Sequence, residues 1–545
     1  MKAECIDYRE LPNQNPLFLD YLYDFSRVSD FYRPIPASAG EWRDRAQTVL
    51  GREHFPRDTL VSLLDAYNRD LGVSRSSLEH LELLADPATV AVVTGQQVGL
   101  LGGPCYTAYK AATAVELAER LRSWGIPAVP VFWLAADDSD FDEVRNTQFV
   151  DGDGDLFSVS HPDVRSRDQQ MAGTTRIADW DSWLAPVADL LQGGLPSERI
   201  RGSLLQDYAP NRTFREAFVR WISRVFSEQG LIFFDPLIEG YRQGLRRLFE
   251  TAVTRRSELV EASLARRKRL GEAGFEPQVM VDESETFLFW LDGEARYKLE
   301  NRGDEFRAKE RPRVRYSSEA LLHSLSAGDI QLAPNVLLRP IVQDFLFPTV
   351  ASVGGPAEIA YYAQVNAIAP FFGIEPVVCP RSAFTIVDRK SRRLLGKYGI
   401  PVARFLQSSE QELAELLLRG NGRQPALEKL EQLRDAVEES LRSIYDGALS
   451  SGLEKPELEM ARKTESRIVS QLQKVKDRIV ADRARRDAVV HRHLAHLVQH
   501  LAPHRQLQER CINFNYFLNE GGPDFVRRLV ATIDTGCVEH KVLYL

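Results

Sequence analysis

Cysteine is scarce in this sequence, and no two cysteines lie close together along the chain. The five cysteines, Cys5, Cys105, Cys379, Cys511 and Cys537, are scattered over 545 residues without a C-x-x-C motif. This distribution indicates neither a disulfide framework nor a thiolate zinc site. We therefore expect the protein in a reducing compartment, the cytoplasm.

Long apolar runs and an excess of positive charge are also lacking. No segment approaches the roughly 18 consecutive apolar residues that a membrane-spanning helix needs. The polar start, residues 1–7, lacks the apolar core of a signal peptide. The formal net charge of −8 argues against nucleic acid or an anionic membrane as the main partner. A local basic pocket for a phosphate or carboxylate stays open.

Residues 89–134 predict a strand–helix–strand unit of a parallel sheet. The unit begins with a β-branched run that is apolar enough to be buried on both faces. It continues through a glycine-rich loop (95–104) into a helix and ends in a second apolar strand. Residues 349–378 repeat this order around a second Gly-Gly-Pro turn at 354–356. The predicted fold class is α/β, with a Rossmann-like parallel-sheet core.

The chain is too long for one compact core, so we expect more than one domain. The Rossmann-like core should cover residues 1–390, with insertions at about 150–230 and 240–330. A helical coiled-coil domain should cover residues 391–505. Residues 506–545, which are dense in aromatic side chains, should return to the core.

The insertion before the second unit has a β-rich part. Residues 278–281 and 286–291 alternate in the manner of strands, and Asp292-Gly293 and Gly303-Asp304 predict turns. We expect a small antiparallel module there.

Residues 409–503 carry the pattern of paired helices. Leucine, isoleucine and valine recur at steps of three or four, with Glu, Arg, Lys and Gln between them. This pattern predicts helices packed along a seam as an antiparallel coiled-coil hairpin. Residues 457–502 as one helix would span roughly 70 Å. So narrow an apolar stripe must pack against its neighbour or against another subunit.

The glycine-rich loop at 95–104 is the leading candidate for a ligand site. Ligands of parallel sheets bind beyond the carboxyl ends of the strands, where glycine N–H groups and a helix N-terminus favour an anion. The spacing fits neither G-x-G-x-x-G nor the P-loop pattern. The alternative is a structural tight turn. The residues predicted here to contact a ligand are Gly95, Gln96, Gln97, Gly102 and Gly103, with Tyr109 and Lys110 from the following helix.

Acidic residues directly follow the second strand of the same unit. Asp137, Asp138, Asp140 and Glu143 could hold an ammonium group, bind Mg²⁺ or act as a general base. The alternative is a solvated region at a helix start, where acidic side chains are favoured.

Polar residues also interrupt the apolar segment 335–344. Its arginine has a planar fork that suits a carboxylate or a phosphate, and a buried arginine needs a partner. The alternative is a structural salt bridge to Asp344 or Glu358. The predicted contacts from this segment and the second glycine turn are Asn335, Arg339, Gln343, Asp344, Gly354, Gly355 and Glu358.

Two further features could indicate a metal site or a reactive thiol. His496, His500 and His504 recur every four residues and would lie on one helix face, a spacing that could bind a metal. Because carboxylate or cysteine support is missing nearby in sequence, we favour a solvated face and predict no metal site. Cys105 follows the glycine loop, but without a neighbouring histidine we favour a small buried residue over an activated thiol.

Taken together, these segments resemble the BshC family, and the resemblance runs along nearly the whole chain. The segments that carry it are 94–97, 103–110, 130–133, 140–143, 335–344, 354–361 and 513–518. The resemblance implies a Rossmann-type core similar to class I aminoacyl-tRNA synthetases and a coiled coil that serves as a homodimer interface. It also implies an enzyme that joins cysteine to glucosaminyl malate to give bacillithiol. A nucleotide (ATP or ADP) is expected, because an amide forms from a free carboxylate only after activation.

The resemblance and the positions at strand ends together suggest roles. Lys110 and Arg339 would contact the malate carboxylates or a phosphate. Asp138 or Asp140 would orient or deprotonate the attacking amine, and Gln97 would join them as a catalytic residue.

One position departs from the family. The family usually has Glu-Asp-His-Asp where this chain has Asp137-Asp138-Ser139-Asp140, so the histidine is absent. Neither an H-I-G-H-like nor a K-M-S-K-S segment of class I synthetases is found.

Two alternative functions therefore stay open. One is a different nucleotide-dependent ligase or nucleotidyl transferase on the same core, and the other is a non-catalytic coiled-coil scaffold.

Overall fold

The computed structural model describes residues 3–151, 155–166, 168–180, 183–184, 195–420, 425–450 and 455–545. Its strands are β1 (Ala3–Ile6), β2 (Val90–Gln97), β3 (Ala128–Ala135), β4 (Asn146–Val150), β5 (Leu156–Ser160), β6 (Ile232–Phe234), β7 (Glu285–Asp292), β8 (Ala295–Arg302), β9 (Glu305–Ala308), β10 (Arg315–Ser317), β11 (Gln331–Pro334), β12 (Thr349–Gly354), β13 (Val378–Pro380), β14 (Phe384–Val387) and β15 (His540–Tyr544).

The helices up to the second glycine turn are α1 (Pro16–Tyr23), α2 (Ala39–Leu50), α3 (Arg57–Leu71), α4 (Arg75–Ala85), α5 (Cys105–Ser123), α6 (Phe141–Val144), α7 (Leu195–Asp207), α8 (Phe214–Val225), α9 (Arg246–Thr254), α10 (Arg256–Glu272), α11 (Ser318–Ala327) and α12 (Arg339–Leu346). Those that follow are α13 (Pro356–Ile368), α14 (Arg389–Tyr398), α15 (Val402–Gln407), α16 (Glu410–Gly420), α17 (Pro425–Ser450), α18 (Lys455–Arg486), α19 (Ala488–Leu501), α20 (Gln508–Cys511), α21 (Phe514–Gly521) and α22 (Phe525–Val530).

A five-stranded parallel sheet forms the centre of the fold, in the order β13-β12-β2-β3-β6. Alternate side chains of its strands enter different parts of the core: Ala91 and Val93 pack on one face, and Val90 and Val92 pack with α5 on the other. Because both faces are covered, the buried stretches of the strands, such as Val90–Val93, are apolar, as the sequence predicts. The α/β fold class is confirmed.

The strand order reverses at the centre of this sheet. The chain leaves β2 towards β3 and β6 on one side and later returns to β12 and β13 on the other. In such sheets ligands bind in the crevice at the carboxyl ends of the strands, at the point where the strand order reverses. Here that crevice lies between the ends of β2 and β12.

An antiparallel sheet with the order β10-β9-β8-β7-β11 is inserted before β12. The predicted strand at 286–291 is confirmed as part of β7, but the predicted strand at 278–281 is wrong. The side chain of Gln364 donates to the Val279 carbonyl and accepts from its N–H. This segment is therefore held by a side chain instead of a neighbouring strand.

The C-terminal residues lie against the start of the chain. Strand β15 is the middle strand of a three-stranded sheet, antiparallel to β1 and parallel to β14. Residues 512–515 pack over the first glycine loop, where Ile512 accepts from the Cys105 N–H and Asn513 pairs with Pro104. The two ends of the sequence therefore support the same region of the core.

The helical region contains α16 to α19. Lys476 on α18 lies 2.9 Å from both Glu415 on α16 and Glu431 on α17, which ties three helices together. The predicted single helix over 457–502 is wrong, because Asp487 has extended backbone angles and its side chain accepts from the N–H groups of Val489 and Val490. The chain ends one helix there and caps the next.

His496 and His500 on α19 also differ from expectation. Their side chains are 5% exposed, so the predicted solvated face is wrong for these two residues.

Cys105 is buried, as predicted, and its thiol donates to the Ile512 carbonyl. None of the described helices combines the length and apolar character required to cross a bilayer.

Candidate active site

A cavity of about 580 Å³ opens at the crevice between β2 and β12. Its walls come from the carboxyl ends of β2 and β3, from the starts of α12 and α13, and from strands β7 and β8 of the inserted sheet. Its volume is in the range of small-molecule sites.

A buried ion pair joins the two βα units at the base of the cavity. The Lys110 ammonium lies 2.5 Å from the Glu358 carboxylate and also donates to the Gly95 carbonyl and the Gln96 side-chain oxygen, at 3.1 and 2.7 Å. Glu358 accepts in addition from the Gly355 N–H at 2.8 Å. Desolvation lowers the pKa of Lys110, and the neighbouring Glu358 opposes that shift. Lys110 is thus already held by protein groups.

Arg339 is a cavity cation whose hydrogen-bond partners are neutral side chains. It donates to the side-chain oxygen of Gln343 at 3.1 Å and to the hydroxyl of Tyr361 at 3.2 Å, and it lies over the Trp133 ring. Among the described residues, no carboxylate oxygen lies within 4.0 Å of its nitrogens. Its guanidinium is therefore positioned but not neutralised, which suits an anionic ligand.

A second cluster of charged side chains lies at the end of β3. The Gln97 side-chain amide donates to Asp138 and to Glu143, at 2.8 Å each, and Arg296 of β8 forms an ion pair with Asp138. Asp137 lines the cavity beside them. Desolvation raises the pKa of Asp137. A carboxyl group of this kind is suited to accept a proton from a reacting amine.

The inserted sheet supplies the opposite wall through an irregular strand. The register of β7 shifts between Glu285 and Phe289, and Phe287 has a φ of +63°. At this bulge the Glu285 carboxylate accepts from the Thr286 and Phe287 N–H groups and lies 3.0 Å from the Lys298 ammonium. The bulge redirects a buried carboxylate towards the cavity.

Comparison with known proteins identifies the family to which this arrangement belongs. The model of the "Bacillithiol biosynthesis BshC, N-terminal Rossmann-like domain" matches residues 1–382, and that of the "Bacillithiol biosynthesis BshC, C-terminal coiled-coil domain" matches residues 384–545. The chain belongs to the BshC family.

Full-length relatives support this membership. The chain is 32% identical over 561 residues to a protein of Solibacter usitatus, and the alignment covers 100% of both chains. It is 30% identical over 552 residues to one of Salinibacter ruber (97% of this chain, 96% of the relative) and 29% identical over 499 residues to one of Geobacillus thermodenitrificans (90% and 91%). Each relative is named "Putative cysteine ligase BshC". The protein is accordingly an enzyme of the ligase type.

Many of the residues predicted from the sequence meet at the cavity, although they come from distant parts of the chain. Those that line it are Gly95, Gln96, Gln97, Lys110, Asp138, Asn335, Arg339, Gly355 and Glu358. Asn335 has a structural part as well, because its side-chain oxygen accepts from the N–H groups of Leu337 and Leu338.

The first Gly-Gly-Pro turn does not line the cavity, contrary to expectation. Gly102 has a φ of +90°, its N–H donates to the Tyr208 hydroxyl, and a side chain there would collide with Trp221. Gly103 also has a positive φ, of +71°. Tyr109 is fully buried, with its ring against Phe384. The structural-turn alternative therefore applies to Gly102 and Gly103, through a close contact at the first and a positive φ at both, and Tyr109 is a core residue.

Four other predicted residues also lie outside the cavity lining. Asp140 caps α6 through a bond from the Glu143 N–H. Gln343 is buried, holds Arg339 and donates to Ser352 at 2.8 Å. Asp344 is buried at the end of α12. Gly354 ends β12 and packs against the side chain of Glu358. These residues therefore support the site or cap a helix.

Several cavity residues were missed by the sequence analysis. They are Tyr106, Trp133, Glu285, Arg296, Lys298, Arg381 and Arg510. Arg381 is held by Glu509 through two bonds of 2.6 and 2.9 Å. Tyr106 and Trp133 are in segments that carry the BshC resemblance, which is a signal that could have found them. Arg296 and Lys298 alternate along β8 with the buried Ala295, Tyr297 and Leu299, as the polar face of any half-buried strand does, and have no such signal.

Proposed function

We propose that the protein joins the carboxyl group of cysteine to the amino group of glucosaminyl malate, in the last step of bacillithiol synthesis. The observation that carries this proposal is Arg339, a cavity guanidinium without a carboxylate partner among the described residues. It can hold a malate carboxylate or a phosphate. The names of the relatives supply the cysteine part of the proposal.

The ammonium form of the acceptor must lose a proton before its nitrogen has the lone pair that attacks an acyl carbon. We assign the accepting group to the acidic cluster at the end of β3, with Asp137 as the first candidate and Asp138 beside it. Asp138 is already paired with Arg296 and bonded by Gln97, whereas the pKa of Asp137 is raised by desolvation. A raised pKa brings a carboxylate closer to the working range of a general base.

A nucleotide belongs to the proposal for chemical reasons. A free carboxylate does not form an amide at neutral pH, so the cysteine carboxyl needs activation.

Mass spectrometry of the reaction tests the substrates. Purified protein is incubated with cysteine, glucosaminyl malate and each of several nucleotides, with cysteine or nucleotide omitted in controls. We expect a product with the mass of the cysteinyl amide only in complete mixtures. Absence of that mass with every nucleotide would reject the proposed reaction.

One observation favours a related reaction with another acceptor. Ser139 replaces the family histidine, and its hydroxyl contacts Gln169 at 3.3 Å and the Arg296 guanidinium at 3.4 Å. The residue next to the acidic cluster therefore has a smaller, neutral side chain. The same assay with other amines in place of glucosaminyl malate distinguishes the two functions, because only the accepted amine gives a product.

We further propose that the helical region forms a homodimer. Leu433, Ile468 and Val475 occur at the predicted seam positions, yet they are 49%, 39% and 49% exposed in the single chain. Apolar seam residues of long helices are normally covered. Light scattering should give twice the chain mass for the protein and a lower mass for Ile468→Glu/Val475→Glu; a monomeric unaltered protein would contradict the dimer.

A further inference from the structure

A cluster of potential metal ligands lies at the base of the helical region, outside the cavity lining. Asp388 precedes α14, and His496 and His500 lie one turn apart on α19. The His500 Nδ1 is 3.0 Å from one Asp388 oxygen, and the His496 Nε2 is 4.0 Å from the other. One ligand atom from each of the three residues falls within 4.8 Å of those of the others.

Burial makes this cluster unusual. The imidazoles are 5% exposed and the Asp388 side chain 10%. Within the described part of the chain, His496 Nδ1 and His500 Nε2 have no hydrogen-bond partner although both atoms are buried. Buried polar atoms in proteins are normally satisfied. These are the nitrogens opposite those that face Asp388, so the candidate ligand atoms are His496 Nε2 and His500 Nδ1, in a place from which bulk water is excluded.

We propose that Asp388, His496 and His500 bind a divalent transition-metal ion, with Zn²⁺ as the first candidate. Two imidazoles and one carboxylate are a common three-residue ligand set for zinc. In a tetrahedral zinc site with bonds of about 2.0–2.1 Å, neighbouring ligand atoms are about 3.4 Å apart. The observed separations bracket that value, so small side-chain rotations bring the three groups onto one ion.

The surroundings fit a bound cation. The Asp388 carboxylate accepts from the Lys390 and Ser391 N–H groups, which fixes its orientation as supporting residues do in metal sites. The Ser391 hydroxyl lies 2.6 Å from Asp388 and 3.2 Å from His496 and can supply, or hold a water at, the fourth position. The Tyr516 hydroxyl is 3.5 Å from His500.

The position of the ion indicates what it would do. Asp388 follows β14, which pairs with β15, whereas both histidines belong to α19 of the helical region. An ion held by all three would cross-link these two parts of the chain. It would therefore act on stability and leave the cavity chemistry unchanged.

Metal analysis of the full-length protein tests the proposal. The protein is stripped with a chelator, reconstituted with Zn²⁺ or Co²⁺ and passed through a desalting column. The Cys5→Ser background is used because Cys5, Cys537 and Glu539 form another group of potential ligands. We expect one ion per chain, a visible Co²⁺ spectrum of a four-coordinate site and a higher midpoint of thermal unfolding with Zn²⁺.

Variants then locate the ion. His500→Gln should weaken binding about tenfold or more, whereas His491→Gln, on the exposed face of the same helix, should bind as the parent does. His500→Cys keeps a ligand and should add a sulfur-to-cobalt charge-transfer band. No stoichiometric binding by the parent, or equal binding by His500→Gln, would overturn the proposal. Metal binding by the parent protein tests the proposal even if a variant fails to fold.

Discussion

The Lys110 ammonium and the Glu358 carboxylate lie 2.5 Å apart and connect α5 to α13, the helices that follow β2 and β12. The two strands are hydrogen-bonded neighbours at the centre of the sheet. This pair therefore fixes the crevice in which the cavity lies. Both side chains are largely withdrawn from water, with 6% and 21% exposure.

We predict that Lys110→Met strongly destabilises the protein. The change leaves the 21%-exposed carboxylate of Glu358 without its cation, so we expect a loss of about 3 kcal/mol, the lower end of the range for a buried pair. Chemical denaturation measures the free energy of unfolding. Arg247→Met, which breaks an ion pair with more than three-quarters of each side chain exposed, should cost less than about 1 kcal/mol. Equal effects of the two changes would show that the buried pair has no special role.

Asp137→Asn should lower the rate of amide formation on the order of 100- to 10 000-fold if Asp137 is the general base. Because its pKa is raised, the parent rate should fall as the pH decreases, on a limb above the usual range of an aspartate. That limb should vanish in the variant. Asp142→Asn, an exposed change in the same segment, is the control. An unchanged rate and pH profile in Asp137→Asn would exclude it as the base.

Gly102→Ala should destabilise the fold through both its backbone and its neighbour. A side chain at this φ of +90° is strained, and it would also collide with the Trp221 ring, so we expect a loss of about 1–3 kcal/mol or more. Gly125→Ala separates the two causes, because Gly125 has a φ of +77° and open space around it. If both variants lose the same stability in thermal unfolding, the contact with Trp221 is not important.

The pH dependence of stability should reflect His540. This buried imidazole has its pKa lowered by desolvation from 6.5 to about 4, and it bonds to the Thr385 hydroxyl. Between these two values the unfolded chain binds a proton that the folded protein does not. The free energy of unfolding should therefore fall as the pH falls from 6.5 towards 4, by up to about 1.4 kcal/mol per pH unit.

Replacement of His540 checks this linkage. His540→Gln should give a shallower decline over the same pH window, measured by urea denaturation at several pH values. His323→Gln, at an exposed position on α11, should keep the slope of the parent. A slope in His540→Gln as steep as that of the parent would assign the pH dependence to other groups.

Local sequence patterns predicted the parts of the fold that depend on local physics. The apolar runs at 89–94 and 349–353 lie in neighbouring parallel strands, and their glycine turns lead into helices; the first strand extends through Gln97, into the segment predicted as loop. The Asp487 break was not predicted, because a capping aspartate within a continuous heptad pattern looks like any other polar position. The burial of His500 depends on Asp388, 112 residues away, which spacing along one helix cannot reveal.

The site was predicted only in part for the same reason. Gln97, Arg339 and Glu358 follow strands or open helices of the central sheet, where position alone suggests a ligand. Arg296 and Lys298 belong to an inserted antiparallel strand that reaches the cavity only through the tertiary fold. Gly102 shows the opposite case, because the need for a glycine came from Trp221 and not from a ligand.

Arg339, which has no carboxylate within 4.0 Å among the described residues, is the group that we propose holds the anionic part of the acceptor. Isothermal titration calorimetry of glucosaminyl malate with the protein, Arg339→Ala and the surface control Arg247→Ala tests it directly. A lost bond to a charged group is worth about 1.5–3 kcal/mol, so Arg339→Ala should bind at least about tenfold more weakly while the control binds as the parent does. Equal dissociation constants for all three proteins would contradict the account.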